Sequence, residues 1–332
     1  MSANALRSRG SDAPARASLP SNADIESAFA SHRRFLWGLC YRMTGCAADA
    51  DDLVQATFVR AIERPPASLD EPWRPWLTRV AMNLSRDVLR RRKRRRYVGP
   101  WLPSPVETDE SDLAAYEPTL ASGQTTEGRY DLLESVSYAF LLALEALTPK
   151  QRAVLLLRDV FDYTVTETAE ALGISEPDEK TTHHRARRAM AAYDRERCRP
   201  TRALRERTKE ALTGFMSALL AGDSGAAERL LAGSVRALSD GGGEFYAARV
   251  PVVGPARVLR FFGNVVRRHA EEMRSELRMM NGLPALVTEI PTDARGVAPL
   301  LVTRAEVGAD GRIRELHSVL ATRKLSAVRR LR

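Results

Sequence analysis

Between residues 25 and 96 apolar positions recur with helical spacing. Leu53, Val54, Thr57, Phe58, Ala61 and Ile62 fall at i, i+1, i+4, i+5, i+8 and i+9, one face of an amphipathic helix. Its start carries Asp49, Asp51 and Asp52, where the helix dipole favours negative charge, and Arg64-Pro65-Pro66 ends it. A second helix is predicted from about Trp76 into a basic run, with Trp73 and Trp76 read as core rather than base-stacking residues. Periodicity then stops. Residues 97–128 are rich in Pro, Gly, Ser, Thr and acidic side chains, which predicts a linker.

Helical patterning returns over 131–193. Leu132, Leu133, Val136, Ala139, Phe140, Ala143, Leu144 and Leu147 form one apolar stripe, and Thr148-Pro149-Lys150-Gln151 reads as a capping box with proline at the first helical position. In Thr166-Glu167-Thr168-Ala169-Glu170-Ala171-Leu172-Gly173-Ile174-Ser175 a short helix meets a glycine turn, and a serine caps the next helix. That order predicts a helix-turn-helix, whose second helix enters the major groove.

After Pro200 the pattern mixes periods. Helices are expected at about 206–221, 224–231 and 256–272, and strands around Val235–Leu238 and Tyr246–Val253. Three more strands are expected near turns at Asn281-Gly282 and Gly308-Ala309-Asp310-Gly311. This segment reads as α+β with a curved antiparallel sheet. The whole chain is therefore multidomain: a tail (1–24), a helical domain (25–96), a linker (97–128), a helix-turn-helix domain (129–197) and an α+β domain (201–332).

Charge changes the picture in its distribution. The chain carries a net +9, but residues 201–332 hold 22 Lys/Arg against 14 Asp/Glu, which is +8 of it. Nucleic-acid binding by the first 200 residues must then rest on local clusters, and Arg90 to Arg96 supplies seven consecutive basic residues. Glu107, Asp109, Glu110, Asp112 and Glu117 balance it soon after. The first residues lack the apolar stretch of a signal peptide, no run is long enough to span a bilayer, and a cytoplasmic protein is expected. Cys40, Cys46 and Cys198 form no paired motif, so neither a zinc site nor a disulfide framework is expected.

Two strings, Asp49-Ala50-Asp51-Asp52-Leu53-Val54-Gln55-Ala56-Thr57-Phe58 and Trp76-Leu77-Thr78-Arg79-Val80-Ala81-Met82-Asn83-Leu84-Ser85-Arg86-Asp87-Val88-Leu89-Arg90, resemble the core domain of sigma-70-type factors of the extracytoplasmic-function (ECF) group. The helix-turn-helix, with His184-Arg185-Ala186-Arg187-Arg188, resembles the upstream reader of the same group. Tyr97-Val98-Gly99-Pro100-Trp101-Leu102-Pro103-Ser104-Pro105 and Asp240-Gly241-Gly242-Gly243 resemble the subgroup with a fused SnoaL-like (NTF2-like) domain.

The resemblance implies a non-catalytic factor that binds core RNA polymerase, through the β′ clamp and β subunits, and promoter DNA. It implies no cofactor or metal and no membrane. Asp49, Asp51, Asp52 and Gln55 would face the polymerase. Asn83, Arg86, Asp87, Arg90, Arg91, Lys93 and Arg94 would serve the −10 element. Lys180, Thr181, His184, Arg185, Arg187 and Arg188 would serve the −35 element. Trp101, Leu102 and Pro103 would meet Asp240, Gly241, Gly242 and Gly243 in a regulatory contact. Autoregulation by the C-terminal domain is expected, with packing as its leading role and a small ligand in that domain as the alternative. Independent catalysis there finds little support, since residues 201–332 hold only His269 and His317 and no obvious carboxylate–histidine arrangement at close spacing. A regulator using the helix-turn-helix alone would leave residues 25–96 unexplained.

Three places depart from the family pattern. Glu179 and His183 stand at usually apolar, inward positions of the reading helix. Glu244 follows the glycines where a basic residue is common, and Ala321-Thr322-Arg323-Lys324-Leu325 stands where Asn-Pro-Asp-Lys-Leu is usual.

Overall fold

The computed structural model describes residues 21–65, 73–94, 97–108, 129–292 and 294–331. The expected tail over 1–20, Arg95, Arg96 and the linker residues 109–128 lie outside these. Helix α1 (Asn22–Thr44) starts earlier than the domain boundary at residue 25, because Ser21 and Asp24 form a capping box. It ends at Gly45, whose φ of 67° suits glycine. A Cβ at Gly45 would lie 2.5 Å from the Trp101 ring, so the glycine also lets the linker approach.

Helices α2 (Ala47–Glu63) and α3 (Trp73–Arg94) complete the first domain; α2 buries Leu53, Val54, Thr57, Phe58 and Ala61 of the expected stripe, while Ile62 is 61% exposed. Trp73 and Trp76 pack edge-to-face and lie half-buried against the core. The second domain comprises α4 (Leu132–Val136), α5 (Tyr138–Ala143), α6 (Pro149–Asp159), α7 (Val165–Leu172), α8 (Glu176–Ala189) and α9 (Ala191–Arg195). The Thr148–Gln151 capping box forms, Gly173 turns at φ 62°, and Ser175 caps α8.

These two helical domains share one core. Leu36, Leu39 and Met82 belong to the same apolar cluster as Phe140, Leu155 and Leu172. Buried arginines fasten it: Arg42 donates to Ser135 Oγ (2.7 Å) and the Leu132 carbonyl (3.1 Å), and Arg152 donates to the Met43 carbonyl (2.8 Å). Hydrogen bonds to carbonyls and a hydroxyl offset most of the cost of burying these guanidinium groups, although the Arg152 Nε has no partner among the described residues.

The third domain has α10 (Arg202–Leu220), α11 (Ser224–Arg229) and α12 (Pro255–His269). Its strands are β1 (Leu231–Asp240), β2 (Val252–Val253), β3 (Arg274–Met280), β4 (Leu283–Glu289), β5 (Leu300–Val307) and β6 (Ile313–Val319), in the order β2-β1-β6-β5-β4-β3. The sheet is mixed rather than wholly antiparallel, since β1 and β6 run parallel. The expected strand over Tyr246–Val253 shrinks to β2: Pro251 cannot donate to a ladder, and Tyr246 and Val250 are exposed.

Alternation along the strands gives the sheet two working faces. Ala237, Leu286, Ala305 and Leu316 pack on Phe215, Val258 and Phe262 of the domain's own helices. The opposite face, with Ala285, Val287, Val302 and Val319, packs on Leu102 of the linker and Tyr138 of the second domain. Residues 97–108 are therefore less a loose connection than part of the third domain's packing, and Thr108 N–H even bonds the Met279 carbonyl (3.0 Å) at the edge of β3. Among the described residues, no helix is long and apolar enough to cross a membrane.

Candidate nucleic-acid interface

Burial of the apolar stripe of α2 turns its acidic residues outward. Asp51 accepts from Trp37 Nε1 (2.9 Å), and Gln55 is exposed. Asp49 and Asp52 are both bound by Arg323 of the third domain, Asp49 at 2.8 Å and Asp52 at 2.5 Å. Nothing local in the sequence pointed to this pair; the one signal was the arginine at a position where the resemblance leads one to expect aspartate.

On α3, Asn83, Asp87, Arg90, Arg91, Lys93 and Arg94 are exposed. Arg90 pairs with Asp87 one turn away (3.1 Å), and Arg86 is half-buried, reaching the Leu172 carbonyl at the end of α7 (3.4 Å). The basic run is not uniform. Arg92 turns inward, binds both Glu145 oxygens at 2.7 Å, donates to the Thr44 carbonyl and stacks over Trp101 at 4.0 Å. It is thus engaged internally, although no sequence feature separates it from its neighbours.

On α8, Lys180, Thr181, His184, Arg185, Arg187 and Arg188 all lie on the exposed side. Arg187 is nevertheless tied to Asp159 through Nε and Nη2 (3.1 and 2.6 Å), and Thr181 bonds back to the Pro177 carbonyl. The inner side carries Glu179, fully buried against Arg158 (3.3 Å), and His183, bonded to Asp159 (2.9 Å). Burial raises the Glu179 pKa above its ordinary value, the nearby Arg158 opposing it only in part. Burial would also raise Asp159, but the hydrogen bonds of His183 and Arg187 hold it below the usual range.

The linker and the third domain meet in a clasp centred on Asp240, which is fully buried. Its carboxylate accepts from Tyr97 Oη (2.6 Å), the Leu102 amide (2.7 Å) and the Gly242 amide (3.1 Å), and pairs with Lys324 Nζ. Lys324 also donates to the Leu102 carbonyl and lies 4.7 Å from the Tyr97 ring and 4.3 Å from that of Trp101. Desolvation lowers its pKa to about 8 despite Asp240.

A Cβ at Gly241 would come 2.7 Å from the Phe245 carbonyl oxygen and one at Gly242 2.8 Å from Ala321, while Gly243 faces Val98. The Pro103 carbonyl accepts from Tyr138 Oη (2.6 Å). Sequence reasoning missed the joint beside it: the Asn281 side chain, in the expected Asn-Gly turn, donates to Tyr41 Oη (2.7 Å) and the Val136 carbonyl (2.9 Å) and accepts from Val106 N–H (3.1 Å). One amide thereby joins the first domain, the linker and the second domain to the third.

Comparison with known proteins adds to this geometry. Residues 28–95 match the model for sigma-70 region 2, and residues 137–190 that for sigma-70 region 4. The ECF RNA polymerase sigma factor SigJ of Mycobacterium tuberculosis is 33% identical over 263 residues, covering 77% of this chain and 78% of that one. SigG of the same organism is 39% identical over 156 residues, 43% of this chain and 41% of SigG. The crystal structure of SigJ aligns with a TM-score of 0.66 and 28% identity over 91% of this chain and 98% of that one.

Proposed function

The chain belongs to the ECF RNA polymerase sigma factors, which act in transcription initiation, and we propose that its own third domain controls when it does so. In this reading Asp49, Asp51, Asp52 and Gln55 dock on the polymerase clamp, α3 serves the −10 element and α8 the −35 element. The third domain works as a packing device, with room for a small ligand.

The observation that carries the proposal is the shared core of the first two domains, together with the clasp that holds their linker to the third. Promoter elements about 25 base pairs apart are separated by about 85 Å at ~3.4 Å per pair. Arg86 on α3 touches the last carbonyl of α7, so the two readers are far too close to engage both elements at once. Arg323 at the same time covers two of the acids proposed to meet the polymerase. The described arrangement is the closed one, and initiation requires it to open.

Transcription with purified core polymerase tests this. The chain should give promoter-specific transcripts from core enzyme, and Asp240→Ala should raise their yield at limiting protein. Specific transcripts with no response to Asp240→Ala would remove the regulatory part; no specific transcripts from either protein would remove the whole reading.

A further inference from the structure

The helix-covered face of the sheet changes chemistry along its length. Beneath the helices it is aliphatic, but further along it carries Ser239, Thr288, Thr303 and Ser318, all less than one-tenth exposed. Register places Thr303, Ser318 and Ser239 side by side on β5, β6 and β1. Thr303 and Ser318 hydroxyls bond each other (3.0 Å), as do Ser275 and Thr288 (2.9 Å); the Ser239 hydroxyl has no partner among the described residues. Buried hydroxyls are costly where they only face carbon, and here they floor a cavity of about 550 Å³.

Phe261 and Phe262 of α12 form one wall and the segment 246–248 another, with Tyr246, 80% exposed, near its mouth. The ionisable groups bordering it, Arg268 and His269, belong to the last turn of α12. A concave, mostly apolar space of this size with a few convergent polar groups is what small-molecule sites look like.

The segment that walls the cavity also forms the clasp. Shortly after Asp240–Gly243, Tyr246 to Ala248 line the cavity on one side and, with Phe245, a groove against Val98 and Gly99 on the other. Tyr246 N–H bonds the Gly296 carbonyl (2.7 Å), and a Cβ on Gly296 would strike the Tyr246 ring, so this wall has one close-fitting seat. A molecule filling the cavity thereby supports the wall in the conformation that meets the linker.

We infer that this cavity binds a neutral, largely apolar aromatic molecule bearing a hydroxyl or carbonyl oxygen, and that its occupancy strengthens the clasp. The aromatic wall selects the ring, the hydroxyl row takes the oxygen, and the lack of buried charge excludes an ionic core. Because the wall also carries the clasp, a ligand that fits the cavity better with the wall seated than displaced shifts the population toward the closed form. The regulatory half rests on the clasp reading above; the binding half does not.

The test uses full-length protein and 2-naphthol as probe, with binding followed by naphthol fluorescence and the clasp by amide exchange at Tyr97–Leu102. Saturable binding is expected, abolished by Leu301→Trp, which fills the cavity, and weakened about two- to tenfold by Thr303→Val, which keeps its shape and removes one hydrogen bond. At a probe concentration ten times Kd, exchange at 97–102 should slow by up to about tenfold. Absence of saturable binding, or equal binding by a folded Leu301→Trp protein, overturns the site. Binding without slower exchange overturns the regulatory half. If Asp240→Ala leaves exchange at 97–102 unchanged, the clasp reading fails and takes the regulatory half with it, while naphthol binding still decides the site.

Discussion

On α2, Asp49 and Asp52 are held by Arg323 of the third domain, whereas on α8 Lys180, His184, Arg185 and Arg188 face solvent. The two surfaces proposed to meet the transcription machinery thus differ: two acids of the first are ion-paired by the third domain, although Asp52 stays 64% exposed, while the second is not engaged by that domain. In the proposed reading, the difference puts control at polymerase docking and at the spacing of the readers rather than at the base- and phosphate-contacting side chains.

The largest expected effect comes from breaking the clasp. Asp240→Ala leaves Lys324 buried with its counter-charge removed, a change that typically destabilises by about 3–5 kcal/mol. Exchange of the Leu102 amide, which Asp240 holds directly, should accelerate by about a hundredfold or more, measured by mass spectrometry, while α8 stays protected. Neutralising Arg90, Arg91 and Lys93 together acts on the open side. Each lost phosphate contact should lower the salt slope of promoter binding by about one, read from affinities across a salt series. Arg92 is left out of that set because it serves Glu145 and Trp101.

Arg323→Glu uncovers the acidic side alone. Its pairs with Asp49 and Asp52 are largely exposed, and exposed pairs are worth about 0–1 kcal/mol, so affinity for core polymerase should rise by up to about fivefold in a titration. The smallest effect belongs to the inner side of α8. Glu179 has a raised pKa, so the folded state holds its proton more tightly than the unfolded chain does; its contribution favours folding at acid pH and is lost as pH rises through that pKa. Glu179→Gln keeps the neutral form and should therefore stabilise by about 1 kcal/mol at pH 7, a gain that disappears near pH 4 in thermal melts. A loss of stability at pH 7 would show that Arg158 needs the charge.

Much of this molecule was legible in the sequence because the signals were local. The capping box at Thr148, the turn at Gly173 and the cap at Ser175 each lie within a few residues of the element they define. The stripe of α2 set which side its acids face. The pairing of β1 with β6 in parallel was not legible, since no short pattern records which distant strand lies alongside. Nor were the contacts of Asn281 with Tyr41 or of Arg323 with Asp49, which join residues more than 200 positions apart. Arg92 shows the same limit at short range: in a run of basic residues nothing marks that Arg92 folds inward while Arg90, Arg91, Lys93 and Arg94 are exposed. The apolar run at Tyr246–Val253 misled because exposed side chains at a cavity mouth have the composition of a strand.

The central claim is that the two readers are held together in the free protein and separate on polymerase. Spin labels at Asp87→Cys on α3 and Arg188→Cys on α8, in a Cys198→Ser background, measure that separation by pulsed dipolar spectroscopy. The account predicts one narrow, short distance in the free protein that lengthens by tens of ångströms when core polymerase binds. A distance that stays the same in the core complex, or one already long and broad in the free protein, would contradict it.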